Sequence, residues 1–148
     1  MPVVSSLLLS NFSSYSFTGE LLVILVLLLL SALFSGSEVA FFSLRPAQLQ
    51  YLRDEKPTYI NKIILHLLDQ PKKLLATILI SNTCVNIALI IFSSLFFSNS
   101  QLLGDNPILI FFVQVFSVTF LITMFGEVLP KVYAAHNNLR ILSFMAYP

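Results

Sequence analysis

The chain has 148 residues, 57% of them hydrophobic and 10% charged, with a formal net charge of +1 and a mean hydropathy of +0.88. That much apolar surface cannot be hidden in one small water-soluble core, so a membrane protein is expected. The single cysteine, Cys84, lies in an apolar run, which excludes a disulfide framework and a metal-thiolate centre.

Residues 1–19 are Ser-rich and carry no Lys or Arg, so they lack the cationic start of a secretory signal peptide. They are expected to form a short exposed N-terminal segment. From Glu20 to about Phe42 the Leu-rich sequence is long enough to cross a hydrocarbon layer of roughly 30 Å at about 1.5 Å per residue. Its polar residues, Ser31, Ser35, Gly36, Ser37 and Glu38, gather in the C-terminal half.

Residues 43–73 form the one markedly polar stretch and hold Arg45, Arg53, Lys56, Lys62, Lys72 and Lys73. The positive-inside rule makes this stretch cytoplasmic and places the N-terminus outside. Leu49 and Leu52, then Ile60, Ile63, Ile64, Leu67 and Leu68, recur at helical spacing. They predict two short amphipathic helices along the inner surface, the first opened by Pro46, with Pro57 between them and Pro71 ending the second. A second span is predicted over 74–97. The connector 98–106 contains Gly104, Asp105 and Asn106 before Pro107 and no basic residue, as suits an external turn. A third span follows over 108–129. Lys131 and Arg140 come after it, so all eight basic residues fall on one side of the membrane. Residues 139–148 begin another apolar segment, too short to span and read as the start of a juxtamembrane helix.

The run Phe125-Gly126-Glu127-Val128-Leu129-Pro130-Lys131 sets a carboxylate and a proline at the edge of the third span. An ionised carboxylate there costs about 2.5 kcal/mol or more unless it faces protein, water or a cation. Pro130 has no N–H for the carbonyl four residues back, that of Gly126. On the first span, Ser31, Ser35 and Glu38 share one helical face, and Glu38 could snorkel or pair with Arg45. On the second, Asn82 and Asn86 stack at i, i+4, with Ser81 adjacent. On the third, Thr119, Thr123 and Glu127 fall on one face of a regular helix. Because the spans run inward, outward and inward, Ser35, Ser81, Asn82 and Glu127 lie at similar depths. Hydroxyl, amide, carbonyl and carboxylate oxygens together suit a hard cation such as Mg²⁺ or Ca²⁺. The competing reading is structural: small residues permit close helix packing, and Asn side chains bond across helices. His66 and His136 read as isolated surface or interface residues. No Gly-rich phosphate loop, His-Glu-x-x-His or Ser-His-acid set is present, so no enzyme and no nucleic-acid partner is expected.

Three motifs, Leu33-Phe34-Ser35-Gly36-Ser37-Glu38, Ile80-Ser81-Asn82 with Asn86, and Phe125 to Lys131, resemble the transmembrane module of the CNNM/CorC magnesium transporters, a hemolysin-related family. The resemblance covers about Glu20 to Pro148, and its N-terminal part is most similar to the gliding-motility-associated GldE branch. It implies an all-α membrane protein with three transmembrane helices and short cytoplasmic juxtamembrane helices, a homodimer in the bacterial inner membrane. It further implies an inward-open cavity for Mg²⁺ and Mg²⁺ efflux coupled to Na⁺ entry by alternating access. The implied ligands are the side chains of Ser35, Ser81, Asn82 and Glu127 and the main-chain carbonyl of Gly126. Family members continue into cytoplasmic CBS domains, so a fragment without regulation by ATP-Mg²⁺ is expected. The alternative from another class is a non-transporting membrane scaffold or assembly factor, as for gliding or secretion machinery.

Overall fold

The structure, a computed structural model, describes the backbone of residues 2–54, 58–99, 104 and 106–146 and the side chains of residues 17–54, 58–98, 104 and 106–146. Lys56 and Pro57, residues 100–103 and 105 of the connector, and Tyr147 and Pro148 lie outside the described residues.

Every described element is a helix. In chain order they are α1 (Pro2–Phe42), α2 (Pro46–Asp54), α3 (Tyr59–Leu68), α4 (Pro71–Asn99), α5 (Pro107–Leu121), a π-helical segment (Ile122–Val128), α6 (Leu129–His136) and α7 (Asn138–Met145). Residues 2–19, expected as an exposed segment, have helical backbone continuous with the first span. Three stretches are long and apolar enough to cross a membrane: Phe17–Phe42, Pro71–Ser98 and Pro107–His136. The third joins α5, the π segment and α6 into one continuous helix, so it passes Pro130 and runs beyond the expected end near Leu129.

Local chemistry explains the ends of these helices. Asn106 caps α5, its Oδ1 accepting from the amides of Ile108 at 3.2 Å and Leu109 at 3.4 Å, and Pro107 follows where a missing N–H costs nothing. Pro46 and Pro71 open α2 and α4 in the same way. Pro130 falls in the first turn of α6, directly after the π segment. The Leu129 amide bonds back five residues to the Met124 carbonyl, so a change of helical register takes up the proline where a kink would otherwise form.

α1 is the central element, touching α4, the π segment, α6 and α7. α1 and α4 run antiparallel, with Phe17 stacked on Phe96 at a centroid distance of 4.8 Å at one end. The spans keep much of their apolar surface outward, including Leu22, Leu25, Phe111, Phe112 and Phe116, which a lipid environment accommodates. The buried hydrophobic core is instead at the basic end. Ala40, Phe41, Leu52, Ile64, Ile78, Ala134, Leu142 and Ala146 come together there from α1, α2, α3, α4, α6 and α7. A reciprocal amide pair locks this region. Gln48 Nε2 donates to Asn138 Oδ1 at 3.1 Å, and Asn138 Nδ2 donates to Gln48 Oε1 at 3.0 Å, fastening α2 to the start of α7.

Candidate functional site

Halfway along the spans, α1, α4 and the π segment bring a chain of polar side chains together. Ser31 is fully buried. Its hydroxyl lies 2.7 Å from Asn86 Oδ1 and 3.3 Å from Asn82 Oδ1. A hydroxyl carries one proton, which goes to the nearer acceptor, Asn86, and this leaves the Asn82 oxygen with lone pairs to spare. With its oxygen engaged by Ser31, Asn86 directs its Nδ2 to Glu127 Oε1 at 3.3 Å. Glu127 is half-buried, and its second oxygen takes no hydrogen bond from the described residues.

The close approach of α1 to the π segment depends on Gly126. A Cβ at that position would lie 2.9 Å from Ser31 Oγ, nearer than real Cβ atoms come. Gly126 is itself buried, with its backbone directly against the serine. Ser35, one turn further along α1, is fully buried, and its Oγ has no hydrogen-bond partner. Buried hydroxyls are normally partnered, so Ser35 Oγ is an exception to the rule. Ser81 is half-buried beside Asn82 on α4. Of the five expected ligands, Asn82, Gly126 and Glu127 thus meet around Ser31 and Asn86, while Ser35 and Ser81 lie beside them on the same helices without hydrogen bonds of their own.

Three local expectations change. Ser31 and Asn86, outside the expected ligand set, are the side chains that tie α1 to α4 and α4 to Glu127. Their i, i+4 relation to Ser35 and Asn82 was the available signal. Thr119 and Thr123 are exposed and do not share the environment of Glu127. Glu38 pairs with Lys131 at 3.3 Å, not with Arg45. α1 ends at Phe42, so Arg45 has already left the helix, whereas α6 packs along α1 beside Gly36, where even a Cβ would make ordinary contact with the Pro130 carbonyl oxygen at 3.6 Å. Both partners of that ion pair are substantially exposed, 30% for Glu38 and 41% for Lys131, so in water it would contribute no more than about 1 kcal/mol. Ser37 donates to the Leu33 carbonyl, Thr77 to that of Lys73 and Thr83 to that of Leu79, whereas Ser43 Oγ at the end of α1, like Ser35 Oγ, is buried without a hydrogen-bond partner.

Among the described residues no three His, Cys, Asp or Glu side chains gather. The donor set is therefore neutral oxygens around one carboxylate, which suits a hard cation and gives a soft metal nothing to hold.

Residues 22–148 match the family model described as the cyclin M (CNNM) transmembrane N-terminal domain. A UPF0053 protein of Haemophilus influenzae is 31% identical over 126 residues, which are 85% of this chain and 29% of that protein. The chain thus spans less than a third of the length of this curated relative. With three apolar spans and a family match covering most of its length, the chain is an integral membrane protein that belongs to the CNNM family through its transmembrane N-terminal domain.

Proposed function

We propose that this domain carries Mg²⁺ across the membrane, holding the ion between α1, α4 and the π segment. The ligands in this reading are the hydroxyls of Ser35 and Ser81, the Asn82 amide oxygen, the Gly126 carbonyl and the Glu127 carboxylate. The observation that carries it is the buried Ser35 Oγ without a partner, on the helix that packs against the segment holding the half-buried Glu127. A cation arriving there would give that hydroxyl its missing interaction and offset the charge of the carboxylate. In the α register Pro130 has no amide to offer the Gly126 carbonyl four residues back, which favours leaving that carbonyl for an ion.

The chain's own residues would act as follows. Glu127 supplies the negative charge. Asn86 holds one of its oxygens in place, and Ser31 holds Asn86. The neutral oxygens replace part of the hydration shell, which Mg²⁺ gives up reluctantly, so their placement decides whether it binds at all. Release to the other side proceeds by alternating access, with a Na⁺ gradient driving efflux and two copies of the chain forming the working unit.

Two measurements test this. Calorimetric titration of the purified, detergent-solubilised chain with MgCl₂ should show saturable binding, weakened about tenfold in Ser35→Ala because one neutral ligand of several is removed. A wild-type affinity in that variant takes Ser35 out of the ligand set. In proteoliposomes loaded with Mg²⁺, efflux should require an inward Na⁺ gradient; flux indifferent to Na⁺ would reject the coupling.

A further inference from the structure

Away from the polar cluster, α1, α6 and α7 enclose a groove of about 370 Å³ at the basic end of the bundle. Ala32, Leu33 and Gly36 contribute to it from within the first span, and Ile141 and Phe144 from α7. Its lining is apolar except for the hydroxyl of a tyrosine and one charged side chain, Arg140. The groove reaches the surface that faces lipid, since Leu33 and Phe144 are 37% and 65% exposed. Arg140 is exposed and has no acidic partner among the described residues, whereas Lys131 of α6 is paired with Glu38.

We infer that this groove is a binding site for a phospholipid with an anionic headgroup. Two features on one surface select that occupant. Ala32, Leu33 and Gly36 belong to a stretch apolar enough to lie in hydrocarbon, so whatever fills the groove beside them is itself hydrocarbon, as an acyl chain is. α7 lies past the end of the third span, where headgroups lie, so Arg140 sits level with phosphate and offers it a planar set of donors without internal competition. The amide pair between Gln48 and Asn138 holds the start of α7, which fixes the distance from the guanidinium to the apolar lining. An occupant with an apolar tail and a negative head at that spacing satisfies both ends. Basic sites between helices at this level are a recurrent means of holding anionic lipids.

The test is native mass spectrometry of the purified chain with equal amounts of dioleoyl phosphatidylglycerol and dioleoyl phosphatidylcholine, which differ only in the headgroup. The expected result is retention of the anionic lipid about fivefold over the zwitterionic one, the ratio that one arginine near the surface provides. Arg140→Gln should bring the ratio close to one, and Arg140→Lys should keep most of it. Ala32→Phe, which fills the groove, should reduce retention of both lipids with the helical circular dichroism unchanged. Equal retention by the wild type overturns the inference. So does a preference that survives Arg140→Gln but is lost in Lys73→Gln, which would place the lipid on another surface, or a dimeric chain that retains neither lipid, which would assign the groove to a second copy.

Discussion

Glu127→Gln is expected to abolish Mg²⁺ binding while leaving the fold in place. The substitution is nearly isosteric, and the new side chain can still accept the hydrogen bond from Asn86 Nδ2, now 3.3 Å from Glu127 Oε1. The chain of bonds from Ser31 through Asn86 to position 127 therefore survives, and only the charge is lost. In an oxygen site with a single carboxylate that charge dominates, because ligand charge count moves affinity over decades, and a loss of roughly 100-fold or more is expected. Stability responds in the opposite direction. Without an ion, an ionised carboxylate within a span is a cost, so the Gln variant should unfold at the same temperature as the wild type or higher. A ligand that binds the folded form raises the unfolding temperature with its concentration, so Mg²⁺ should shift the wild type upward and leave the variant unmoved. A variant that still responds to Mg²⁺ would remove Glu127 from the site. A wild type without any response would argue that the polar cluster only packs helices.

Gly126→Val should have the largest structural effect of any single change near the site. A Cβ at position 126 would come within 2.9 Å of Ser31 Oγ and 3.8 Å of the Ile122 side chain. The serine could rotate away only by giving up its 2.7 Å bond to Asn86, and Asn86 would then lose the contact that orients it toward Glu127. Overpacking of this kind costs about 1–3 kcal/mol. The half-buried Asn86 oxygen left without its donor adds to that. Thermal unfolding in detergent should fall by several degrees, and Mg²⁺ binding should weaken although no ligand side chain has been changed. Gly36→Ala is the control on the same interface. Its Cβ would meet the Pro130 carbonyl at 3.6 Å and the Pro130 Cβ at 3.7 Å, ordinary contact distances, so it should be neutral or slightly stabilising through helix propensity. Equal behaviour of the two glycine variants would show that the approach of the π segment to Ser31 does not govern the site.

The same residues show where local sequence suffices and where it does not. Three spans, their order and the grouping of the described basic residues at one end follow from hydropathy and charge alone, because in a membrane each span must satisfy its own backbone and stay apolar whatever its neighbours do. Ser35, Ser81, Asn82, Gly126 and Glu127 stand out for a related reason: polar groups are costly inside a span, so each one asks for an explanation. Regular helical periodicity groups Glu127 with Thr119 and Thr123, yet both threonines are exposed while Glu127 is half-buried against Asn86, and the π segment that carries it leaves no mark in residue spacing. The partner of Glu38 is also beyond sequence reach. Arg45 is nearer along the chain, but α1 ends before it, and the packing of α6 on α1 brings Lys131 within 3.3 Å. Composition and periodicity determined which segments enter the membrane and which oxygens lie at one depth. Only the packing of α1 against α4 and the π segment decided which of those oxygens bond to one another and which, like Ser35 Oγ, take no hydrogen bond, since that choice depends on contacts between residues more than 40 positions apart.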